Sequence, residues 1–281
     1  MGTSTSHGGP KDKKPLLPSW ALPSDNTNGN GAPPSGDDVE NETPAVNGQE
    51  TAEPHYTWQS AKKQMTNFAS TGGSHEGIAK AGSAYVSAKG GARAATASSV
   101  TGRRVAAKVG TFLGAISSRG IQDAIASLGF MAAVGESAEI VFTKIANALS
   151  PAGATREEVA ARKAVDDVLC DLYGKFIRDG EDISSLDRMT EDDIRNSVEQ
   201  CVSSYIYHRW LEELGFRIEK GAITENEAIG LENQMKDYVK ECVSLETSQI
   251  EVLKLDWQGA QGQQIIDRVF QDAYSILEAG A

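Results

Sequence analysis

The chain has 281 residues, with 27 basic and 39 acidic side chains and a net charge of −12 when its histidines are neutral. This charge argues against a general binder of nucleic acid or of acidic membranes, although a local basic face remains compatible with it. The cysteines, Cys170, Cys201 and Cys242, are odd in number and widely spaced, which predicts reduced core cysteines and a cytoplasmic protein. We find no apolar run long enough to predict a membrane span.

The charge falls into three segments of alternating sign. Residues 1–53 carry 3 basic and 8 acidic groups, residues 54–135 carry 9 and 2, and residues 136–281 carry 15 and 29. We interpret them as a disordered tail, a basic Gly/Ala-rich helical segment and an acidic helical bundle. The basic and acidic segments either neutralise each other within the fold or meet separate partners.

The tail is rich in Gly, Pro, Ser, Asn, Thr and Asp, and it cannot bury enough apolar area to offset the entropy of ordering. Its exception is "PLLPSWALP", which holds Leu16, Leu17 and Trp20. Exposed aromatic side chains are common anchors at interfaces. This stretch therefore predicts a short docking motif within a disordered linker.

The basic segment opens with a predicted helix over residues 55–70 and then changes composition. Residues 71–135 contain 12 Gly and 15 Ala. One interpretation is structural: short helices break near Gly90-Gly91, Gly102 and Gly120, and small residues let the backbones approach closely.

The other interpretation of the basic segment is functional. Here the segment contacts nucleic acid or an acidic partner, because clustered cations bind phosphates. Nucleotide binding has less support, since neither "GGSHEG" nor "KGGARAA" has the spacing of a P-loop. The candidate contact residues are Lys89, Arg93, Arg103, Arg104 and Lys108.

The acidic segment carries the strongest helical pattern. Helices are predicted from about Glu136 to the residue before Pro151, from Thr155, from Thr190, from Thr224, and from about Gln261 to Glu278. Thr–x–x–Glu pairs at two of these starts are typical of capping boxes, and each helix has an apolar stripe. We predict an all-α fold with an antiparallel helical bundle. The strand-like "IEVLKLDW" is too short and isolated to build a sheet.

The sequence offers no catalytic constellation. Its 4 histidines are scattered, and neither a metal-ligand spacing nor a nucleophile motif is present, so we expect no catalytic residue, metal or cofactor. His208 is predicted to be a structural helix residue. Adjacent acidic pairs such as Glu157-Glu158 and Asp166-Asp167 point about 100° apart on a helix, which favours a solvated face over a catalytic dyad.

The amino terminus is the remaining chemical group. Removal of Met1 would expose the α-amine of Gly2. An α-amine has a pKa of about 7.7–8.0 against about 10.4 for lysine, so far more of it is nucleophilic at neutral pH. Glycine also has no Cβ to obstruct a narrow pocket. The alternative is an ordinary exposed terminus.

The first 22 residues resemble the start of the QatB family of the bacterial Qat anti-phage defence system. The resemblance lies in the run Met1 to Ser6, in Gly8-Gly9-Pro10 and in "PLLPSWA". The general layout agrees: a polar linker, a Gly/Ala-rich middle and an acidic helical half.

This resemblance implies partners and a non-enzymatic role. The partners are QatC, which is similar to the QueC enzymes of deazaguanine synthesis, the ATPase QatA and the TatD-like nuclease QatD. The chain would be scaffold and protein substrate, with a deazaguanine joined to Gly2 by an amide. Leu16, Leu17 and Trp20 would dock beside the QueC-like active site. The residues entering that site would be Thr3, Ser4, Thr5, Ser6, Gly8, Gly9 and Pro10.

Two alternatives remain open. The first is a nucleic-acid adaptor that uses the basic 54–135 segment. The second is an N-myristoylated, membrane-associated helical protein, because Met-Gly-x-x-x-Ser fits that modification. A bacterial origin would remove the second alternative, as would the absence of a second anchoring signal beyond Lys11, Lys13 and Lys14.

Overall fold

The computed structural model describes residues 57–131, 136–177, 181–221, 224–243 and 252–280. Over these ranges the chain is mostly helical and contains no β-strand, so the predicted all-α fold is confirmed. The predicted tail, including Gly2 and the docking motif around Trp20, lies outside the described residues. None of the described helices combines the length and apolar character that crossing a membrane requires.

The helices follow one another with short connections. They are α1 (Trp58–Ser70), α2 (His75–Ala88), α3 (Gly91–Ala97), α4 (Val100–Arg119), α5 (Ile121–Ser127), α6 (Ala138–Leu149), α7 (Arg156–Phe176), α8 (Glu191–Leu214), α9 (Phe216–Gly221), α10 (Glu225–Glu241) and α11 (Ala260–Ala279). Two short 3₁₀ helices, Ile183–Arg188 and Val252–Lys254, precede α8 and α11.

Helix α8 is the centre of the bundle. It packs against α4, α7 and α10, and it buries residues on several faces, as expected for a helix surrounded by others. Its pairing with α7 is antiparallel: Lys163 reaches Glu212 near one end, and Lys175 reaches Asp193 near the other. The antiparallel arrangement predicted from the apolar stripes is therefore present in this pair.

The basic and acidic segments share one hydrophobic core. Helix α4 packs on α7, α8 and α11, and α11 in turn packs on α2 and α3. The boundary predicted near residue 135 is thus a change in charge and composition, while packing continues across it.

Glycine ends two helices where the sequence predicts it. Gly90 and Gly91 have φ values of 93° and 87° and separate α2 from α3. Gly120 has a φ of 86° and follows the last residue of α4. These positive-φ conformations favour glycine because it has no Cβ.

The predicted break at Gly102 is wrong. Helix α4 runs through this residue, and the break between α3 and α4 falls at Ser98 and Ser99 instead. A Cβ on Gly102 would lie 2.6 Å from the ring of Tyr205. Gly102 therefore serves close helix packing, which was the other role that the sequence suggested for small residues.

Three of the later helices, α7, α8 and α10, start at the threonine that the sequence indicates. Thr155 with Glu158 and Thr224 with Glu227 form the predicted capping boxes, and Thr190 with Asp193 forms a third. In each, the threonine hydroxyl accepts a backbone N–H, and the acidic side chain binds back to the cap N–H.

The cysteine prediction is partly wrong. All three cysteines are free, but Cys170 is exposed on α7 while Cys201 and Cys242 are buried. Burial raises the pKa of Cys201 to about 12 and that of Cys242 to about 11, so both remain thiols at neutral pH.

Candidate basic groove and its supporting network

The structure distributes the predicted basic contact residues among three places. Lys89 lies in a buried ion pair, Arg93 lies exposed on α3, and three residues of α4 line one cavity, the basic groove. Those three residues are Arg103, Arg104 and Lys108.

Lys89 joins α2 to α8. Its Nζ donates to both carboxylate oxygens of Glu213 at 3.0 Å, and only 6% of its side chain is exposed. It also lies over the ring of Tyr85, 5.1 Å from the centroid. Burial lowers the pKa of Lys89, while the Glu213 carboxylate opposes that shift. The ammonium group is thus engaged within the core.

The basic groove is a cavity of about 390 Å³ between the first half of α4 and helix α11. Arg103 Nη1 donates to Asp267 Oδ1 at 2.6 Å and ties the two helices together. Arg104 and Lys108, four residues apart on α4, form no ion pair with any described residue. The lining consists of Val100, Arg103, Arg104, Ala107, Lys108, Gln258, Gln263, Ile266 and Asp267. Three cations against one carboxylate leave the groove positive.

Trp257 lies between the two helices and determines how closely they approach. Its side chain is 1% exposed, and a Cβ on Gly110 would lie 2.5 Å from its ring. A Cβ on Gly262 of α11 would lie 2.4 Å from the backbone of Trp257. Glycine is therefore required on both helices at this contact. The role of Trp257 was not predicted, because this residue belongs to a short stretch without helical periodicity.

Acidic side chains of the C-terminal half cap three helices of the basic segment. Helices α3, α4 and α5 have no side-chain cap of their own. Instead, Ala92 N donates to Glu278 Oε2 at 3.0 Å, Thr101 N to Glu157 Oε1 at 2.7 Å, and Ile121 N to Asp187 Oδ1 at 2.6 Å. A carboxylate is favourable at the positive end of a helix. The predicted solvated face is therefore wrong for Glu157.

The cap at Thr101 extends into a buried polar network. Tyr205 Oη donates to Glu157 Oε1 at 3.2 Å, and Arg209 Nη1 donates to Tyr205 Oη at 2.8 Å. The same Arg209 nitrogen donates to the carbonyl oxygen of Ser98 at 2.7 Å. Burial raises the pKa of Tyr205, so its phenol stays protonated and can donate. The network fixes the α3–α4 break against α7 and α8.

His208 contacts an acidic residue that the sequence pattern placed on a solvated face. Its Nε2 lies 3.0 Å from Asp167 Oδ2, and Ser204 Oγ donates to that same carboxylate oxygen. Burial raises the pKa of Asp167, but hydrogen bonds from His208 and Ser204 outweigh it and leave the pKa lowered. The solvated-face prediction is thus wrong for Asp167 as well. In an activated nucleophile, the serine hydroxyl would donate a hydrogen bond to the histidine ring. Here Ser204 and His208 both bind the Asp167 carboxylate instead.

Among the residues that the structure describes, no group of three or more His, Cys, Asp and Glu side chains is arranged to hold a metal ion.

Comparison with protein-family models gives a match over residues 90–277, to a family described as Qat anti-phage system associated protein QatB. Searches of the curated proteins and of the solved structures each found no match. The matched residues hold α4, α11 and the basic groove, and they exclude the first 22 residues, which suggested the same family independently. Because the match covers about two thirds of the sequence, the chain belongs to the QatB family, which is associated with the Qat anti-phage system.

Proposed function

We propose that this chain acts in the Qat anti-phage system as a scaffold and as a protein substrate, without catalytic activity of its own. In this proposal a QueC-like partner joins a deazaguanine to the amine of Gly2. The observation that carries it is the N-terminal sequence, with Gly2 in a run of small residues followed by "PLLPSWA". Family membership supports a role in the system, and the N-terminal sequence supports this particular one.

The proposed chemistry is an acyl transfer. The partner would activate a carboxydeazaguanine as its acyl adenylate, which releases pyrophosphate from ATP. The Gly2 amine would then attack the acyl carbon, so that a C–N bond forms, AMP leaves and the amine loses a proton. An α-amine suits this step because its pKa of about 7.7–8.0 leaves a usable unprotonated fraction at neutral pH.

The scaffold part of the proposal is supported by the shared core. Helices from the basic and acidic segments pack together, and carboxylates from one segment cap helices of the other. A unit joined in this way can offer its partners a preformed surface. The partners we propose are the QueC-like protein, the ATPase and the TatD-like nuclease of the same system.

Mass spectrometry of the full chain tests the proposal. The protein is produced together with its genomic neighbours, and its intact mass and N-terminal peptide are measured. We expect a deazaguanine-sized adduct on Gly2 that disappears in Gly2→Pro and when the QueC-like partner is inactivated. A Lys11→Arg variant is the matched control and should keep the adduct. An unmodified terminus in the presence of all partners would refute the proposal, as would an adduct on Lys11.

The same measurement separates this function from N-myristoylation, which would add an acyl chain to Gly2.

The nucleic-acid adaptor remains a second candidate, favoured by the convergence of Arg103, Arg104 and Lys108 on one cavity. It predicts binding that falls steeply with salt and is lost when Arg103 and Arg104 are both replaced.

A further inference from the structure

We propose that the basic groove between α4 and α11 is a binding site for a nucleoside phosphate. Arg104 and Lys108 would bind the phosphate, and Gln258 and Gln263 would bind the base or the sugar. This goes beyond the proposed function, because it concerns the body of the protein and does not depend on Gly2.

The charges of the groove provide the first argument. Arg104 is exposed and Lys108 is half-buried, and neither is neutralised by a carboxylate of the described residues. A guanidinium presents its N–H groups in a fork that fits two phosphate oxygens, and a lysine adds a point charge. The groove thus offers a phosphate two unused cations on one face of α4.

Arg103 provides the second argument. Its Nη1 is held by Asp267, while its Nε is buried and has no hydrogen-bond acceptor within the described part of the chain. The Nε atoms of Arg195 and Arg217 are also buried without an acceptor among the described residues, and Arg103 is the one of the three that lines the groove. Because Arg103 lines the groove, an oxygen of a ligand bound there would be a suitable acceptor for this nitrogen.

The remaining lining provides the third argument, and it favours a nucleoside over a bare anion. Val100, Ala107 and Ile266 form an apolar part of the wall, and Gln258 and Gln263 add two amides. Gln263 Nε2 donates to the backbone carbonyl oxygen of Gln258 at 2.8 Å, so the second N–H and the Oε1 of this amide are the groups offered to a ligand. An amide presents donors and an acceptor side by side, as the edge of a nucleobase does. A volume of about 390 Å³ lies within the usual range for small-molecule sites.

The positions of the other two candidate cations favour a small ligand over a strand. A nucleic-acid strand is bound along a row of cations and aromatic side chains. Here Lys89 is paired with Glu213 in the core, and Arg93 lies on α3 outside the groove. The two cations without a carboxylate partner among the described residues, Arg104 and Lys108, together with Arg103 Nε suffice for one phosphate group.

Calorimetric titration of the full chain tests the inference. The probes are AMP, GMP, CMP and UMP, with inorganic phosphate as the reference anion. We expect saturable binding of at least one nucleotide, weakened about tenfold or more in the Arg104→Ala/Lys108→Ala double variant. Arg93→Ala removes a positive charge from outside the groove and should leave nucleotide binding unchanged. Thermal unfolding will show that each variant is folded.

A further variant separates recognition of the nucleoside from attraction of an anion. Gln263→Leu should weaken nucleotide binding while the binding of inorganic phosphate stays the same. The inference is refuted if none of the four nucleotides binds, or if phosphate alone binds as tightly as they do. It is also refuted if a dT20 oligonucleotide binds more tightly than the nucleotides, and if Arg93→Ala weakens that binding as much as the Arg104→Ala/Lys108→Ala double variant does. Such a result would indicate a nucleic-acid surface.

Discussion

Three helices of the basic segment and three helices of the acidic half of this chain begin in different ways. In the acidic half, α7, α8 and α10 each carry a threonine and an acidic residue that cap the helix locally. In the basic segment, α3, α4 and α5 start without a side-chain cap and take a carboxylate from Glu278, Glu157 or Asp187. These three acidic helices are capped locally, whereas these three basic ones are completed by the rest of the fold. Outside this contrast, α1 and α2 have local caps at Thr57 and Ser74, and α6 and α11 have no side-chain cap.

The same contrast holds for packing. The acidic helices bury large apolar stripes, while α4 offers Gly102 and Gly110 to the rings of Tyr205 and Trp257. Small residues on one side are matched by large aromatic residues on the other. The two segments therefore need each other for shape as well as for charge, and substitutions at their contacts can test that dependence.

The largest effect is expected at the buried ion pair between the segments. Glu213→Gln removes the counter-charge of the buried Lys89 ammonium and also that of Arg209, whose Nε lies 3.4 Å from the same carboxylate. This should lower the free energy of unfolding by about 3 kcal/mol. The matched control is Glu212→Gln, since Glu212 pairs with Lys163 near the surface and should cost under about 1 kcal/mol. Urea unfolding measures both. Equal losses would show that the Lys89 pair contributes no more than a surface pair.

The next effect concerns the two roles considered for Gly102. If the only effect of Gly102 were to weaken α4, Gly102→Ala would stabilise the protein. Because the added Cβ would lie 2.6 Å from the Tyr205 ring, we expect Gly102→Ala to destabilise the protein by about 2 kcal/mol. Gly114 lies on the same helix, and a Cβ added there would meet no atom within 4 Å, so Gly114→Ala should stabilise by about 0.5–1 kcal/mol. Opposite signs in denaturant unfolding support the packing role; stabilisation by both would contradict it.

A smaller effect is expected at the cap that α7 supplies to α4. Glu157→Gln weakens the charge-assisted bond to Thr101 N, and we expect a loss of about 1–2 kcal/mol. Its neighbour Glu158 completes a local capping box, in which glutamine is also accepted, so Glu158→Gln should cost only about 0.3 kcal/mol. Hydrogen exchange should show faster exchange at the start of α4 in the first variant alone. Unchanged exchange there would argue against the cap.

The smallest effect is expected at a local cap. Thr224→Ala removes the acceptor for Glu227 N and should cost about 1 kcal/mol, with faster exchange confined to the first turn of α10. Thr143→Ala, on the exposed face of α6, is the control and should change stability by less than about 0.5 kcal/mol. Exchange that spreads into α4 or α11 would show that α10 is not specified locally.

The candidate site was only partly predictable from the sequence, because residues far apart along the chain form it. The sequence identifies Arg103, Arg104 and Lys108 as cations close together on one helix, and a spacing of four residues places Arg104 and Lys108 on one face. It does not show that Gln258, Gln263 and Asp267 face them, since those residues lie some 150 residues further along the chain. Nor does the sequence distinguish the buried Lys89 from the other candidate cations, because the burial of Lys89 depends on which helices pack against α2.

Local sequence accounts for the all-α fold, the capping boxes at Thr155 and Thr224, and the helix ends at Gly90 and Gly120. These features depend on residues within a few positions of one another, and local hydrogen bonds and backbone preferences suffice for them. Three other features emerge only in the folded molecule: Gly102 packs rather than breaks a helix, Glu157 caps α4, and Trp257 separates α4 from α11. Each of these depends on groups distant in the sequence, which the core brings together.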